Sequence, residues 1–376
     1  MKNKIVMTLA TLAFASVATA GEDGFKISGD IATSVFLESG KGANANGNGT
    51  GAPTLAPFNG ENSGDFSVDQ MEIQLEKAMG NSGIVVGIGY GRLFDTINNT
   101  TFGGAPKSTL NLTNAYFHHK VGDTGLTFKL GKFAANMGHE SYSYMNNLNY
   151  TRSYAFTDLN PFFFTGLNAD YTINEMISVG ALVSNQAGNS DYDDNESKHM
   201  GVYGMIKPIE GLSIKLNYLT GRDGGDQASA AATPANQDYY DTTRINATVA
   251  YTLNSMIDLA FNYTDLSKEG ADDTAALTDV EATSMALYAG YKMEMWGAGL
   301  RYEMVSDDDG LVFGPTAAGS NDVSVITATG WYNVDQNAVL KLEIASTSAD
   351  EQVFVDDEGV ADDAMMAYGL GFMYRF

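Results

Sequence analysis

Histidine side chains are the first place to look for chemistry, and the chain has only four of them and no cysteine. His118 and His119 are adjacent, so on a strand they point to opposite faces and cannot share one metal ion without a bulge. His139 and His199 lie in or beside long connections, where a barrel enzyme carries its catalytic groups near the rim. His199 follows the acidic run at 191–196, but no nucleophile is identifiable beside it. The sequence therefore favours a protein that is not an enzyme.

Two further patterns resemble ligand-binding motifs, and each fails at one residue. Pro106 stands where a phosphate-binding loop requires glycine before Lys107. The acidic run that begins at Asp191 starts like a calcium loop, but Glu196 occupies the position of the required turn glycine. We therefore expect no cofactor and no metal ion.

The overall charge excludes several partners. The chain has 376 residues, with 46 Asp and Glu against 21 Lys and Arg, and a formal net charge of −25. A polyanion binds through Lys and Arg that displace its counterions, so we expect no nucleic-acid partner. Hydrophobic residues make up 44% and aromatic residues 11%, which argues against general disorder.

Residues 1–20 have the features of a cleaved signal peptide. Lys2 and Lys4 precede a mostly apolar stretch at 5–17, and Ala18-Thr19-Ala20 fits the small-residue cleavage pattern. We therefore expect residues 21–376 to be exported as one domain. No later stretch approaches the roughly 18 apolar residues of a transmembrane helix, so a membrane form of this chain would have to be a β-barrel.

Period-two alternation dominates the remaining chain and predicts half-buried strands. At 212–218 apolar Leu212, Ile214 and Leu216 alternate with polar Ser213 and Lys215, and similar runs recur to the last residue. A soluble sandwich also alternates. Three features favour lipid on the apolar face: the mixed polar composition of the other face, Tyr and Trp toward strand ends, and connections of alternating length.

We predict sixteen strands in a closed antiparallel transmembrane β-barrel. Seven short connections alternate strictly with eight long ones, as in outer-membrane barrels with long extracellular loops and short periplasmic turns. All seven prolines fall in connections. For 66–79 and 323–335 either set of alternate residues could face lipid. The predicted strands begin near Phe25, Phe66, Ile84, Leu110, Leu126, Phe163, Ile177, Met200, Leu212, Thr243, Ile257, Thr283, Trp296, Val323, Ala338 and Met365.

A barrel of this size leaves a lumen too wide for side chains to fill, so water and solutes could pass. The charged residues that we predict to line this lumen are Lys129, Asp170, Lys215, Arg244, Asp258, Arg301, Glu303, Lys341, Glu343 and Arg375. Alternatively, these groups pair with one another and only keep the wall polar. The long connections are strongly acidic, which predicts a mild cation preference. The alternative for these carboxylates is a solvated surface that bridges divalent ions beside lipopolysaccharide.

The connection at 134–161 differs from the others, because it is rich in Tyr and Asn and poor in net charge. We predict that it folds inward and narrows the bore, and the alternative is an extracellular cap packed on neighbouring loops. The candidate constriction residues are Glu140, Tyr142, Tyr144, Tyr150 and Arg152.

This stretch resembles a known family. Gly131-Lys132-Phe133 through Gly138-x-Glu140, then 149–153 (NYTRS) and 161–166 (PFFFTG), are similar to the OmpL-like β-barrel porins of bacterial outer membranes. The dense match covers roughly 131–166. The family motif often has His before Thr165-Gly166, where this chain has Phe164, so a role for such a His does not carry over. The resemblance implies a passive porin and does not identify the solute.

The sequence thus predicts a passive diffusion porin of the bacterial outer membrane, for small hydrophilic solutes and ions. Its expected partners are outer-membrane lipid, lipopolysaccharide and further copies of itself, as a trimer by analogy with porins of this size. The alternatives are a substrate-specific channel, an adhesin-like surface barrel and, less favoured, a rim-active hydrolase.

Overall fold

The computed structural model describes residues 18–19, 24–42, 64–94, 110–187, 197–224, 239–270, 279–313, 321–356, 358 and 360–376. Within these ranges sixteen long strands form one antiparallel sheet that closes on itself. The prediction of a closed sixteen-stranded barrel is therefore confirmed. Most of the predicted signal peptide, the acidic run at 191–196 and Asp357 lie outside the described residues.

The sixteen barrel strands are numbered in chain order, and each pairs with its sequence neighbours. They are β1 Lys26–Glu38, β2 Phe66–Met79, β3 Ser82–Tyr90, β4 Asn111–Lys120, β5 Leu126–Ala134, β6 Phe163–Thr172, β7 Ile177–Ser184, β8 His199–Ile206, β9 Leu212–Gly224, β10 Tyr239–Thr252, β11 Ile257–Gly270, β12 Val280–Lys292, β13 Trp296–Ser306, β14 Asp322–Asn333, β15 Ala338–Ala349 and β16 Ala364–Arg375. Ala18–Thr19 pairs with the start of β1, and a 3-10 turn at Tyr144–Asn146 and a π-helical turn at Ala155–Leu159 lie between β5 and β6.

The barrel closes where β1 pairs with β16. The pairing runs from Asp30 opposite Arg375 to Glu38 opposite Ala367. At one end of this seam Gly29 and Phe376 exchange two backbone hydrogen bonds of 3.0 Å. Beyond the other end, Gly40–Gly42 pairs with Phe354–Asp356, which also pairs with Ala361–Asp362. This small sheet joins the connection after β1 to the connection before β16.

Short connections of two to five residues link consecutive strands at one end of the barrel, which we call the turn end. The strand ends that the long connections join lie at the opposite end, which we call the loop end. Several turns are fixed by side chains that replace backbone partners: Asn174 Oδ1 accepts the N–H groups of Met176 and Ile177, and Asn254 does the same for Met256 and Ile257.

Opposite faces of the strands have opposite environments. In β13, Leu300 is 47% exposed on the outside, whereas Arg301 beside it is fully buried on the inside. Tyr291, Trp296 and Tyr332 lie on the outer face near the turn end, where amphipathic rings suit a membrane boundary. No helix among the described residues is long and apolar enough to cross a membrane.

The sequence pattern did not determine which residues of β2 and β14 face lipid, and the structure gives a different reason for each strand. In β2 the pairing with β1 shifts by one residue beside Ala32, so that Asp69 is an extra residue. Phe66 and Val68 face outward before this bulge and Ile73 faces outward after it, so the strand uses both sets of alternate positions.

In β14 the outward residues are Ile326 and Tyr332, while Val323 and Val325 face inward and are buried. These two valines pack into an apolar cluster under the loops, which gives both faces of the strand an apolar segment. The sequence pattern was ambiguous for this reason.

Candidate functional site

Residues 134–161, which we call the inner loop, leave the wall at the end of β5 and cross the lumen before returning to β6. Leu148 packs where Gly290 and Gly299 leave room on the wall, and the Tyr150 ring lies against Gly371. A side chain at Gly371 would collide with that ring. Glycine at these positions lets the loop approach the wall closely.

Two wall carboxylates hold the loop backbone. Glu343 accepts hydrogen bonds from the N–H groups of Tyr150 at 2.5 Å and Thr151 at 2.9 Å. Glu303 accepts from the N–H groups of Tyr154 at 3.0 Å and Ala155 at 2.9 Å. Each carboxylate therefore satisfies two donors that have left regular secondary structure, and a buried N–H group without a partner would be costly.

A buried ion pair joins the wall to the middle of the loop. Arg301 Nη1 lies 2.8 Å from Glu140 Oε1 and donates to the Thr151 carbonyl at 3.0 Å. The other Glu140 oxygen accepts from the Ser153 N–H at 2.8 Å. Arg301 is fully buried, so removing either charge would leave its partner unpaired in the protein interior.

Arg152 organises the loop itself. Its guanidinium donates to the carbonyls of Ser141, Tyr150 and Tyr142 at 2.9, 2.6 and 2.8 Å. It also lies 4.1 Å from the centre of the Tyr144 ring. Three carbonyls that no strand or helix satisfies are thus held by one side chain, and the charge of Arg152 is enclosed by protein.

Hydroxyl groups of the loop meet three buried carboxylates on β1 and β2. Ser143 Oγ donates to Asp30 at 2.6 Å, Tyr142 OH to Glu72 at 3.2 Å and Tyr150 OH to Asp69 at 2.5 Å. Burial raises the pKa of both tyrosines well above the usual value, so each phenol keeps its proton and acts as a donor.

Basic side chains of the wall bind oxygen atoms of the same loop. Lys341 donates to the Asn147 carbonyl at 2.7 Å, and Lys215 donates to the Gly138 carbonyl at 2.9 Å. Arg244 Nε donates to the Leu159 carbonyl at 3.2 Å. Arg375 reaches the Asn146 amide oxygen at 2.9 Å.

The ten predicted lumen-lining residues all lie on inward positions, but in two environments. Arg244, Arg301, Glu303, Lys341 and Glu343 are buried beneath the inner loop. Lys129, Asp170, Lys215, Asp258 and Arg375 are half-buried, and each lies within three residues of the turn end of its strand. We call the space around the second group the vestibule. That these residues meet a passing solute stays a prediction.

The five predicted constriction residues come together in the inner loop. Glu140, Tyr144, Tyr150 and Arg152 are buried, and Tyr142 is half-buried. Their charged and hydroxyl groups face wall or loop atoms among the described residues. Their place at the narrowest part of the channel stays a prediction.

Sequence reasoning missed the packing at the loop end. The run 307–309 contains Asp307, which is buried and accepts the N–H groups of Leu311, Val312 and Phe313 at 2.7 to 3.0 Å. Phe313 packs edge-on against Tyr154 at 5.0 Å. The apolar triplet 311–313 was the available signal that this acidic run does not simply project into solvent.

The histidines do not form a shared site. His118 neighbours Tyr116 and His119 neighbours Phe117, on opposite faces of β4. His199 is fully buried with Nε2 3.0 Å from Asp223. No group of three or more His, Asp and Glu within the described ranges could hold a metal ion.

Comparison with known proteins identifies the architecture. Residues 30–376 match the family described as "Putative beta-barrel porin-2, OmpL-like". No curated protein sequence matches the chain.

Similar solved structures share the fold at low sequence identity. They include outer-membrane expressed OmpT of Vibrio cholerae (11% identity, TM-score 0.60, 96% of this chain and 100% of that one). An anion-selective porin from Comamonas acidovorans is 10% identical (TM-score 0.59, 94% and 99%). OmpF of Salmonella typhi in complex with daunomycin is 14% identical (TM-score 0.60, 94% and 98%).

The family match covers nearly the whole chain and agrees with the closed sixteen-stranded sheet. These findings place the protein in the bacterial outer membrane with a porin fold. The chain belongs to the OmpL-like β-barrel porin family.

Proposed function

We propose that this protein is a non-enzymatic channel through which small hydrophilic solutes diffuse passively across the outer membrane. The observation that carries this proposal is a barrel whose polar inner wall is crossed by one loop, held in place by hydrogen bonds to distant strands. Sixteen strands enclose more space than their own side chains fill, and the inner loop narrows it.

We place the constriction at the inner loop. Its width would depend on how firmly Glu303, Glu343 and Arg301 hold the loop, while Arg152 and Glu140 set the shape of the loop. In this proposal the vestibule, which we assign to the periplasmic side, receives the solute after the constriction.

A mild cation preference at the outer mouth is part of the proposal. The net charge of −25 and the exposed carboxylates Asp308, Asp309, Glu358 and Asp363 at the loop end support it. Such a rim concentrates cations weakly at physiological salt, because charges are screened over roughly 8 Å.

We also propose that the protein is a homo-oligomer, with a trimer as the first state to test. OmpT of Vibrio cholerae, which shares the fold at 11% identity, has been solved in a trimer form. Mass measurement of the detergent-solubilised protein would test this part separately.

Reconstitution into a planar bilayer tests the channel. We expect stable single-channel current steps. Under a salt gradient, we expect a reversal potential whose sign shows that cations permeate more readily than anions. The absence of conductance from a folded, heat-modifiable preparation would refute the proposal. A clear anion preference would refute only the dominance of the rim carboxylates.

A substrate-specific channel is the second candidate, favoured by the tight packing at the loop end. Inward positions there, such as Ala282, Val305 and Val323, are buried, which supports a passage narrower than the barrel itself. Conductance that saturates and is blocked by one class of solute would distinguish a specific channel from a general one.

A further inference from the structure

Three cations of the vestibule form ion pairs with neighbouring carboxylates. Lys129 lies 3.6 Å from Asp170, Arg375 lies 3.5 Å from Asp30, and Lys292 forms an ion pair with Asp258. Half-exposed pairs of this kind cancel most of each other's field, and each contributes little to stability.

Lys215 differs from these cations. Its ammonium donates to the Gly138 carbonyl at 2.9 Å and to Asn136 at Oδ1 and at the carbonyl, at 3.0 and 3.3 Å. All three acceptors are neutral, and within the described ranges Lys215 forms no ion pair. Lys341 also binds loop carbonyls, but it is only 4% exposed, whereas Lys215 is half-buried and its partner Asn136 is exposed. Within the described ranges the positive charge of Lys215, at the border of the vestibule, is therefore bound by neutral oxygens and not balanced by a carboxylate.

A cavity with a mixed lining lies next to this charge. Asn136, which binds Lys215, also lines this cavity of about 60 Å³. One water molecule needs about 10–15 Å³ of such space, so the cavity has room for a short chain of a few carbons. Phe133, Met137, Phe164, Leu182 and Leu219 form its apolar part, and Asn168, Tyr203 and Asn217 are among its polar lining residues. The Lys129–Asp170 pair lines the cavity as well, with its charges balanced.

We propose that Lys215 binds the carboxylate of small organic anions that carry a short apolar tail, and that the tail occupies the cavity beside Asn136. This inference rests on the proposed channel function and names a solute class for it. A carboxylate would replace neutral amide oxygens at the ammonium, and it would add the attraction between opposite charges to the hydrogen bond. Each methylene of the tail that is buried would strengthen binding about fourfold.

Single-channel recording with propionate as the probe tests the site. We expect propionate on the turn side to block the current of the native protein in a concentration-dependent way. Formate, which lacks a tail, should block several-fold more weakly. Lys215→Gln should abolish the block and Lys215→Arg should retain it.

Two further variants sharpen the test. Lys292→Gln removes a cation from the same vestibule but from an existing pair with Asp258, outside the cavity lining, so its propionate block should remain. Asn136→Asp places a carboxylate beside Lys215 without removing it, and this isosteric change should also abolish the block. The second variant keeps the proposal testable if Lys215→Gln does not fold, as judged by heat-modifiable migration.

The outcomes separate this inference from the channel itself. Equal block in the native protein, Lys215→Gln and Asn136→Asp would overturn the site while leaving the channel intact. Equal block by formate and propionate would overturn the assignment of the tail to the cavity. A native protein that folds and never conducts would overturn both proposals.

Discussion

The inner wall has two regions that use the same residue types differently. Under the inner loop, Arg301, Glu303 and Glu343 are buried, and each binds loop atoms as well as a neighbouring hydroxyl of the wall. In the vestibule, Lys129 and Asp170 are half-buried and bind each other. Both sets occupy inward positions of one continuous sheet. Whether a wall charge is buried against loop atoms or left half-buried therefore depends on the loop that covers it, and not on strand position alone.

Shortening the inner loop should have the largest effect, because it removes what distinguishes the covered wall from the vestibule. Deleting residues 137–158 removes the backbone donors that bind Glu303 and Glu343 and uncovers the wall. We expect a several-fold rise in single-channel conductance, because the covered region would become part of the open lumen. An unchanged conductance in a folded variant would place the loop outside the solute path.

Breaking the buried ion pair should release the loop without removing it. Arg301→Met leaves Glu140 buried without its cation, a change that costs about 3–5 kcal/mol. We expect trypsin to cut the folded variant at Arg152, which is enclosed in the native loop.

Two controls accompany this cleavage assay. Lys129→Met breaks a half-exposed pair worth about 0–1 kcal/mol and should leave Arg152 protected. The double variant Arg301→Met with Glu140→Gln should recover part of the protection, because Glu140 no longer leaves a buried charge without its cation. Equal cleavage of both single variants would mean that the two regions do not differ as described.

A smaller effect is expected where the loop touches a glycine. Gly371→Ala places a Cβ against the Tyr150 ring and should destabilise the loop contact by about 1–3 kcal/mol. Gly330→Ala is the matched control, because an added Cβ there has no neighbour within 4 Å. Thermal loss of heat-modifiable migration compares the two variants, and an equal shift would contradict close packing at Gly371.

The smallest expected effect is a response of the loop to acid. His139 packs on Tyr288 with ring centres 4.5 Å apart, and burial lowers the pKa of His139 to about 4. An exposed histidine has a pKa of about 6.5, so the released loop binds the proton more strongly between these values. Loop packing should therefore weaken as the pH falls from 6.5 toward 4. Trypsin does not work well in that range, so current noise in bilayers is the measurement, with His139→Gln expected to remove the pH dependence.

Most of the barrel was predictable from sequence because one physical constraint acts on every residue of a strand. In β13 lipid-facing Leu300 and inward Arg301 differ as period two requires. The pattern was ambiguous where a local feature intervened. The extra residue Asp69 in β2 reverses the facing within one strand, and Val323 in β14 is apolar on the inner side because loops cover it.

The candidate site was predictable only in part. The composition of 134–161 predicted an inner loop and its tyrosines, but not the atoms that hold it. Thr151 is 192 positions from Glu343, whose carboxylate accepts the Thr151 N–H, and Arg301 is 161 positions from Glu140. No local pattern marks such contacts, because they arise from barrel closure, which brings distant strands around one loop.

The seam between β1 and β16 is fastened at both of its ends, by the Gly29–Phe376 hydrogen bonds and by the small sheet of Gly40–Gly42 and Phe354–Asp356. A slip of one residue along this seam would exchange lipid-facing and water-facing side chains of the first or last strand. Consecutive strands elsewhere are aligned by the connection between them, but no connection joins β1 directly to β16. The contacts at the two ends of the seam supply that alignment and hold the pairing in one register.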